Sequence, residues 1–326
     1  MIIVTGAAGF IGSAVVWALN REGRKDIIAV DHLGSAAKWM NLRALAFADY
    51  FEKDAFRRDI ADGVVNYPVE AVIHLGACSS TTEPDASYLA DNNFACTKEM
   101  AKFALERNAR FLYASSAATY GDGSLGYLDD ESSIEKLRPL NMYGYSKQLF
   151  DLWARQHGLL SKCAGMKFTN VFGPNEGHKG EMRSLVNKAF GQIKETGKLK
   201  LFKSGNPQYA DGESMRDFLY VKDCVAMVLF LLKNGKHNGL FNIGSGRAET
   251  WNSLAAAVFK AMDKPVNIEY IDMPENLKGK YQYYTKAEMG KLQSKGYTKD
   301  CMPLADSVAD YVRNYLIPGR FLGDEA

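Results

Sequence analysis

The sequence predicts an α/β fold: a doubly wound, mostly parallel sheet interleaved with a smaller, discontinuous α/β lobe. Three observations carry that expectation. Short apolar runs at residues 2–5, 26–30, 69–74 and 110–114 alternate with amphipathic stretches at 13–21 and 93–106, the pattern of βαβ units. A glycine-rich turn separates the first run from the first amphipathic stretch. The chain has 326 residues, 47% hydrophobic and 24% charged, which suits a large core and excludes disordered and fibrous classes.

Taken in order, Ile2-Ile-Val-Thr5 reads as a strand that breaks at Gly6, with the first helix over 13–21. Asp26-Ile-Ile-Ala-Val30 is the second strand and closes on Asp31. The run 69–74 stops at Leu75-Gly76, a helix follows over 93–106, and the run 110–114 ends in Ser115-Ser116. Further β-like runs occur at 163–169, 217–221 and 240–243. Residues 174–216 are rich in Gly, Lys, Asn and Pro, with one helical stretch near 183–194. Residues 265–285 hold a short strand at 266–271 and a Lys/Tyr-rich loop. The resulting division gives residues 1–170 and 214–243 to the sheet domain and residues 171–213 and 244–326 to the smaller one.

Forty basic and 38 acidic side chains leave a net charge of +2, so neither nucleic acid nor an anionic membrane surface is an expected partner. The longest fully apolar stretch, residues 224–232, is far short of the about 20 residues that span a bilayer. The opening Met1-Ile-Ile-Val has no basic n-region, so no signal peptide is expected. Five cysteines, at 78, 96, 163, 224 and 301, are scattered and lack CxxC spacing. That favours a reducing cytoplasm and argues against a disulfide framework or a metal site.

The turn Gly6-Ala-Ala-Gly9-Phe-Ile-Gly12 joins the first strand to the first helix. Gly6 permits the tight turn, Gly9 lets the backbone approach a pyrophosphate, and Gly12 lets helix and strand pack closely. Phosphates then meet the helix N-terminus, where free amides and the dipole favour anions. Asp31 follows Gly12 by 19 positions, close to the about 20 expected of a ribose-binding acid. This is the pattern of a Rossmann-type dinucleotide site. A carboxylate at 31 favours NAD, because it repels a 2′-phosphate, whereas His32 and Lys38 supply charge that suits one. On charge alone the choice stays open.

Tyr143-Gly-Tyr-Ser-Lys147 places a tyrosine and a lysine one helical turn apart. A free tyrosine, with a pKa of about 10, is a poor base at neutral pH. A nearby ammonium and a positive nicotinamide ring both favour the phenolate. Tyr143 can then take the proton of an alcohol as hydride leaves for the cofactor, and Lys147 can hydrogen-bond the nicotinamide ribose. Ser116, at the carboxyl end of the fourth predicted strand, lies where active sites of open α/β sheets form and can hold the reacting oxygen. Tyr145 reads as a packing or surface residue.

The glycine turn, Ser116 and the Tyr143/Lys147 pair resemble the extended short-chain dehydrogenase/reductases, in their nucleotide-sugar-modifying branch. Five further segments extend the likeness over nearly the whole chain. Phe111-Leu-Tyr-Ala-Ser-Ser-Ala-Ala-Thr-Tyr-Gly121, Gly76-Ala-Cys-Ser-Ser-Thr-Thr-Glu83, Asn141-Met-Tyr-Gly-Tyr-Ser-Lys147, Glu176-Gly-His-Lys-Gly180 and Leu277-Lys-Gly-Lys-Tyr-Gln282 resemble the ADP-L-glycero-D-manno-heptose 6-epimerase family. The resemblance implies an isomerase with a bound NADP that is recycled, NAD remaining open, and an ADP-heptose substrate. The C6″ hydroxyl is oxidised to a ketone, the ketone turns over in the site, and hydride returns to the opposite face. Such a reaction needs an acid/base on each side of the carbon: Tyr143 fits one, and Lys179 matches the family's second. The resemblance also implies a cytoplasmic homo-oligomer, pentameric in some relatives, that supplies heptose for the lipopolysaccharide inner core of a Gram-negative bacterium.

By the same resemblance Phe10, Ile11, Asp31, His32, Lys38, Lys53, Leu75, Gly76, Ala77, Cys78, Ser79, Asn92, Lys147 and Val171 would line the cofactor, with Gly6, Gly9 and Gly12. Asn170, Glu181, Lys188, Phe202, Lys203, Ser204, Gly205, Arg216 and Tyr281 would meet the substrate. Arg216 suits ADP phosphates by its guanidinium fork; a surface ion pair with Asp217 or Asp211 is its plainer reading. The chain departs from relatives at Leu75, at Lys167-Phe-Thr before Asn170, at Glu181 and Lys188, and in a longer 204–215 loop. A sugar-nucleotide 4,6-dehydratase would need an Asp-Glu pair after the active-site hydroxyl, where this chain has Ala117-Ala118-Thr119. A UDP-hexose 4-epimerase would use the same tyrosine without Lys179. A non-catalytic dinucleotide-binding scaffold would have no use for Ser116, Tyr143 and Lys147 together.

Overall fold

The computed structural model describes residues 1–274 and 281–324. Its centre is a seven-stranded sheet. β1 (Ile2–Thr5) leads through α1 (Phe10–Arg21) to β2 (Ile27–Asp31), and a short turn, Ala37–Asn41, precedes β3 (Asp49–Glu52). Next come α2 (Lys53–Ala61), β4 (Ala71–His74), the one-turn α3 (Ala86–Leu89), α4 (Cys96–Glu106) and β5 (Arg110–Ser116). α5 (Met142–Gln156) crosses to β6 (Cys163–Phe168). The short β7 (Asn170–Phe172), α6 (Leu185–Thr196), β8 (Leu199–Phe202), β9 (Met215–Arg216) and β10 (Phe218–Tyr220) follow. α7 (Val221–Lys233) returns the chain to β11 (Gly239–Ile243). The remainder is β12 (Glu249–Thr250), α8 (Trp251–Ala261), β13 (Ile268–Ile271), α9 (Gly290–Ser294) and α10 (Leu304–Tyr311).

The strand order β11-β6-β5-β4-β1-β2-β3 is parallel throughout. The order reverses between β1 and β4, so connections leave to opposite faces and a crevice opens at the strands' carboxyl ends. β1, β2, β4 and β11 are buried at every position, which is why each reads as a continuous apolar run rather than an alternating one. Outside this sheet, among the described residues, lie three two-stranded pieces. β7 pairs β10 and β8 pairs β13, both parallel, while β9 pairs β12 antiparallel.

Two expectations need correcting. Asp49-Tyr-Phe-Glu52 forms the sheet's edge strand, which the apolar runs did not reveal: its burial is only partial, so it carries no continuous apolar signal. The run 217–221 does form a strand, but it pairs with β7 and not with the central sheet. The sequence stretch 277–282 falls partly outside the described residues, which resume at Tyr281.

α5 is held on the sheet by a buried polar cluster. Asp151 accepts hydrogen bonds from Lys167 Nζ at 2.9 Å, Tyr113 Oη at 2.9 Å and Ser115 Oγ at 2.8 Å. Lys167 Nζ also donates to Thr119 Oγ1 at 2.6 Å. The ion-pair side chains are 1% and 0% exposed, so neither charge has water to fall back on. Lys167→Met should therefore leave a buried carboxylate short of its counter-charge and destabilise the fold by about 3–5 kcal/mol. Chemical denaturation checks this, with the double change Lys167→Met, Asp151→Leu expected to recover much of the loss.

Candidate active site

The crevice at the strand-order reversal is a cavity of about 820 Å³. Gly6 adopts φ +68°, and a Cβ there would lie 2.7 Å from the backbone nitrogen of Gly76 in the loop after β4. A Cβ at Gly12 would lie 1.9 Å from the carbonyl oxygen of Gly6. The three segments β1, α1 and the β4 loop thus meet backbone to backbone. No side chain caps α1, and Phe10, Ile11 and Gly12 at its start line the cavity. An uncapped helix start beside glycine backbone fits a pyrophosphate, so a nicotinamide dinucleotide suits these residues.

Asp31, at the end of β2, accepts from the amides of Ala8 (2.8 Å) and Gly9 (3.1 Å) through one oxygen. Its other oxygen takes Lys38 Nζ at 2.6 Å and the His32 amide at 2.7 Å. The His32 ring is exposed and faces Glu52 at 3.2 Å.

Asn141 caps α5 by accepting from the Gly144 amide at 2.8 Å, which fixes the start of the turn that carries Tyr143 and Lys147. A Cβ at Gly144 would lie 2.8 Å from the carbonyl oxygen of Ala118, so glycine there lets the helix settle against the segment after Ser116. Burial pushes the Tyr143 phenol up, and the Ser116 hydrogen bond opposes it. An ammonium was expected in that opposing role; in the protein alone Ser116 has it. Lys147 is 4% exposed, and burial pushes its ammonium down to about 8, against the opposing field of Asp151. His74, at the end of β4, bridges Thr5 (2.7 Å) and Thr97 (3.0 Å) and is pushed down to about 3 by burial and Lys147, so it stays neutral.

Lys179 lies in the turn Gly177–Met182, with Nζ 5.6 Å from the centre of the Phe10 ring. Burial lowers its pKa and the Glu176 carboxylate raises it. Arg216, on β9, is buried and sits over Tyr281 (4.9 Å) and Trp251 (5.6 Å). It donates to the backbone carbonyls of Met215 and Gln282. The plainer reading, a surface ion pair, does not describe it. Asp217 instead accepts from Ser245 N (2.7 Å), Gly246 N (3.0 Å) and Ala287 N (3.0 Å), and Asp211 from Ser204 N (2.7 Å).

One cavity therefore gathers Gly6, Gly9, Phe10, Ile11, Gly12, Asp31, Lys38, Leu75, Gly76, Ala77 and Ser79 with Ser116, Tyr143, Lys147, Asn170, Val171, Lys179, Arg216 and Tyr281. His32, Lys53, Cys78, Asn92, Glu181, Lys188, Phe202, Lys203, Ser204 and Gly205 are not among its lining residues. Lys53 donates to Asn92 at 2.8 Å, and the Cys78 amide to Asn93 at 2.9 Å. Glu181, its side chain 93% exposed, pairs with Lys188 at 3.1 Å. Lys203 pairs with Asp272 at 3.0 Å.

The cavity also holds residues with no role assigned from the sequence. His178 Nδ1 lies 3.3 Å from the Asn41 side-chain amide nitrogen, from which it can only accept, and 3.1 Å from the Asn175 carbonyl, to which it can only donate; burial with Lys38 and Lys179 nearby pushes it down to about 4. Trp251 lines the cavity beside Arg216 with its buried indole N–H unpaired among the described residues. No local pattern marks an aromatic at the start of α8 as part of a site; only folding brings it to Arg216.

A family model described as "NAD dependent epimerase/dehydratase family" matches residues 2–244. A curated relative from Nitratidesulfovibrio vulgaris, named ADP-L-glycero-D-manno-heptose-6-epimerase, is 54% identical over 97% of this chain and 98% of its own length. Another of that name, from Fusobacterium nucleatum, is 49% identical over 97% and 98%. The crystal structure of the Helicobacter pylori ADP-L-glycero-D-manno-heptose-6-epimerase superposes with a TM-score of 0.80 at 22% identity, covering 96% of this chain and 95% of that one. This chain belongs to the NAD dependent epimerase/dehydratase family and, within it, to the ADP-L-glycero-D-manno-heptose-6-epimerases.

Proposed function

We propose that the protein converts ADP-D-glycero-β-D-manno-heptose to ADP-L-glycero-β-D-manno-heptose by transient oxidation at C6″, using a bound NADP. One observation carries the reading: two groups able to exchange a proton, Tyr143 and Lys179, line the same cavity as the glycine turn. The names of the 54% and 49% identical relatives support the substrate.

A nicotinamide dinucleotide held by the glycine turn, Asp31 and Lys147 would supply the acceptance of hydride from C6″ and its return. Tyr143 exchanges the proton of the C6″ hydroxyl on one side, with Ser116 holding the reacting oxygen. Lys147, cationic below its pKa of about 8, meets the nicotinamide ribose and steadies the developing phenolate. After the ketone turns over, its oxygen is presented to Lys179, which exchanges the proton on the opposite side. Burial draws Lys179 toward neutrality, the condition a proton-exchanging amine requires. Arg216, Asn170 and Tyr281 meet the ADP-sugar; a guanidinium lining the cavity with no carboxylate paired to it among the described residues supports a diphosphate contact. Lys38, 2.6 Å from Asp31, offsets the carboxylate that would repel a 2′-phosphate, which supports NADP.

We also assign cofactor binding to residues 1–170 and 214–243, which contain all seven strands of the sheet, and substrate binding to 171–213 and 244–326. The further assignment is to a cytoplasmic homo-oligomer that serves lipopolysaccharide assembly. Five free cysteines support a reducing compartment, and no helix of the described residues is long and apolar enough to cross a membrane.

The direct test incubates purified protein, without added cofactor, with ADP-D-glycero-β-D-manno-heptose and reads the C6″ configuration by NMR. Conversion toward a mixture of epimers is expected; no conversion, even with NADP or NAD added, moves the substrate to another nucleotide sugar. Tyr143→Phe removes the proton acceptor and should lower kcat by roughly 10²–10⁴-fold with the fold unchanged by circular dichroism. Lys179→Met should suppress epimerisation while leaving half-reaction redox exchange, followed as reduced-nicotinamide absorbance.

A further inference from the structure

Three residues before Lys179 stands a carboxylate with no place in the chemistry above. Glu176 is 1% exposed. One of its oxygens accepts from Ser184 Oγ at 2.6 Å and from the Gly173 amide at 3.3 Å; the other accepts from the Ser184 amide at 2.5 Å. Nearby, the Tyr311 phenol on α10 accepts from Asn187 Nδ2 at 2.8 Å and is pushed up by burial and by the Glu176 carboxylate. Every one of the Ser184 and Gly173 partners donates. Such a shell has no use for a protonated acid, so the geometry holds Glu176 as an anion. Burial pushes its carboxyl up, and the Ser184 and Gly173 donors, with the Lys179 charge behind them, oppose that rise; no cation pairs with it directly among the described residues.

The same residue anchors the turn. Its carbonyl accepts from the Lys179 amide at 3.0 Å. Its carboxylate ties the start of α6 to the strand end at Gly173, bracketing the turn Gly177–Met182 from both sides. The preceding Asn175, at φ +75°, completes the anchorage: it donates to Ser13 Oγ at 3.0 Å and accepts from the Leu322 amide at 3.0 Å.

We propose that Glu176 is the positioning residue of Lys179: a buried carboxylate that fixes the turn carrying the lysine and serves as the counter-charge of its ammonium. The proposal rests on the reading of Lys179 as the second acid/base. It gives that lysine a reason to cycle. Burial alone would strand it as the amine, a close exposed carboxylate would strand it as the ammonium, and a buried anion one turn back sets it between. The other charged groups about the turn are Lys38, Asp31, Glu181, Lys188 and Arg183, with neutral His178; Lys38 and Asp31 pair with each other, as do Glu181 and Lys188, and Arg183 donates to the Gly180 carbonyl and to Asn187.

The test is Glu176→Gln, which keeps the shape, leaves an oxygen for the Ser184 amide and removes the charge. Losing a nearby negative charge makes the ammonium easier to deprotonate. The limb of the kcat–pH profile that belongs to Lys179 should therefore move to lower pH by on the order of one unit, in both directions of epimerisation, with KM little changed. That limb is identified as the one missing from the half-reaction profile of Lys179→Met. A folded Glu176→Gln protein with the limb in its original place overturns the proposal while leaving Lys179 as the base. Undiminished epimerisation by Lys179→Met instead overturns the reading of Lys179, and this proposal with it. Should Glu176→Gln not fold, the wild-type limb is measured at 50 and 500 mM salt. A buried counter-charge is screened little, so the limb should stay put; a shift with salt places the counter-charge at the surface and overturns the proposal.

Discussion

The fold turns on the contact between Gly6 and Gly76. The strand order reverses between β1 and β4, and the loops leaving these two strands must diverge to opposite faces while starting side by side. They start so close that a methyl group on Gly6 would collide with the Gly76 backbone, and one on Gly12 with the Gly6 carbonyl. Removing side chains here brings an uncapped helix start, a loop and two strand ends into one crevice. Everything the cavity can bind or do is arranged around that point, because the strands' carboxyl ends deliver Asp31, the 75–79 loop and Ser116 to it in turn.

Around this crevice the loops are held by buried carboxylates rather than by apolar packing. Asp151 gathers a lysine, a phenol and a hydroxyl to lock α5 on β5 and β6. Asp217 gathers the amides of Ser245, Gly246 and Ala287, drawing together segments distant in sequence beside Arg216. Glu176 gathers the groups that brace the Lys179 turn. A carboxylate offers about four lone-pair sites and tolerates burial only when donors fill them, so each demands a defined arrangement of its surroundings. Apolar contact alone would let such loops slide; a buried anion does not.

The chemistry of the site follows from the same dryness. Burial lifts the Tyr143 phenol and lowers both Lys147 and Lys179. In water a phenol and an ammonium both titrate at about 10; burial drives them apart toward the neutral form of each, with Ser116, Asp151 and Glu176 as the specific opposing influences. The amine and phenol face the same cavity without forming an ion pair with each other, which is what two separate proton exchanges on one carbon require.

The sequence by itself determined the parallel α/β class, the glycine turn, Asp31, Ser116 and the Tyr143–Lys147 pair. All of these rest on local rules: continuous apolar runs for doubly buried strands, glycine where backbones touch, and a one-turn spacing on a helix. The family likeness added Lys179 and Arg216. Only the tertiary structure decided the rest. β3 is half exposed at the sheet edge and leaves no apolar run. The 217–221 strand pairs with β7 because backbone partners, not composition, choose a sheet. Arg216 is a buried cation stacked on Trp251 and Tyr281, although a neighbouring aspartate in sequence suggested an ion pair. Glu176 looks like one acid among many in the chain. Its meaning comes from three donors supplied by Gly173 and Ser184, and burial and pairing of that kind are not written in any local stretch.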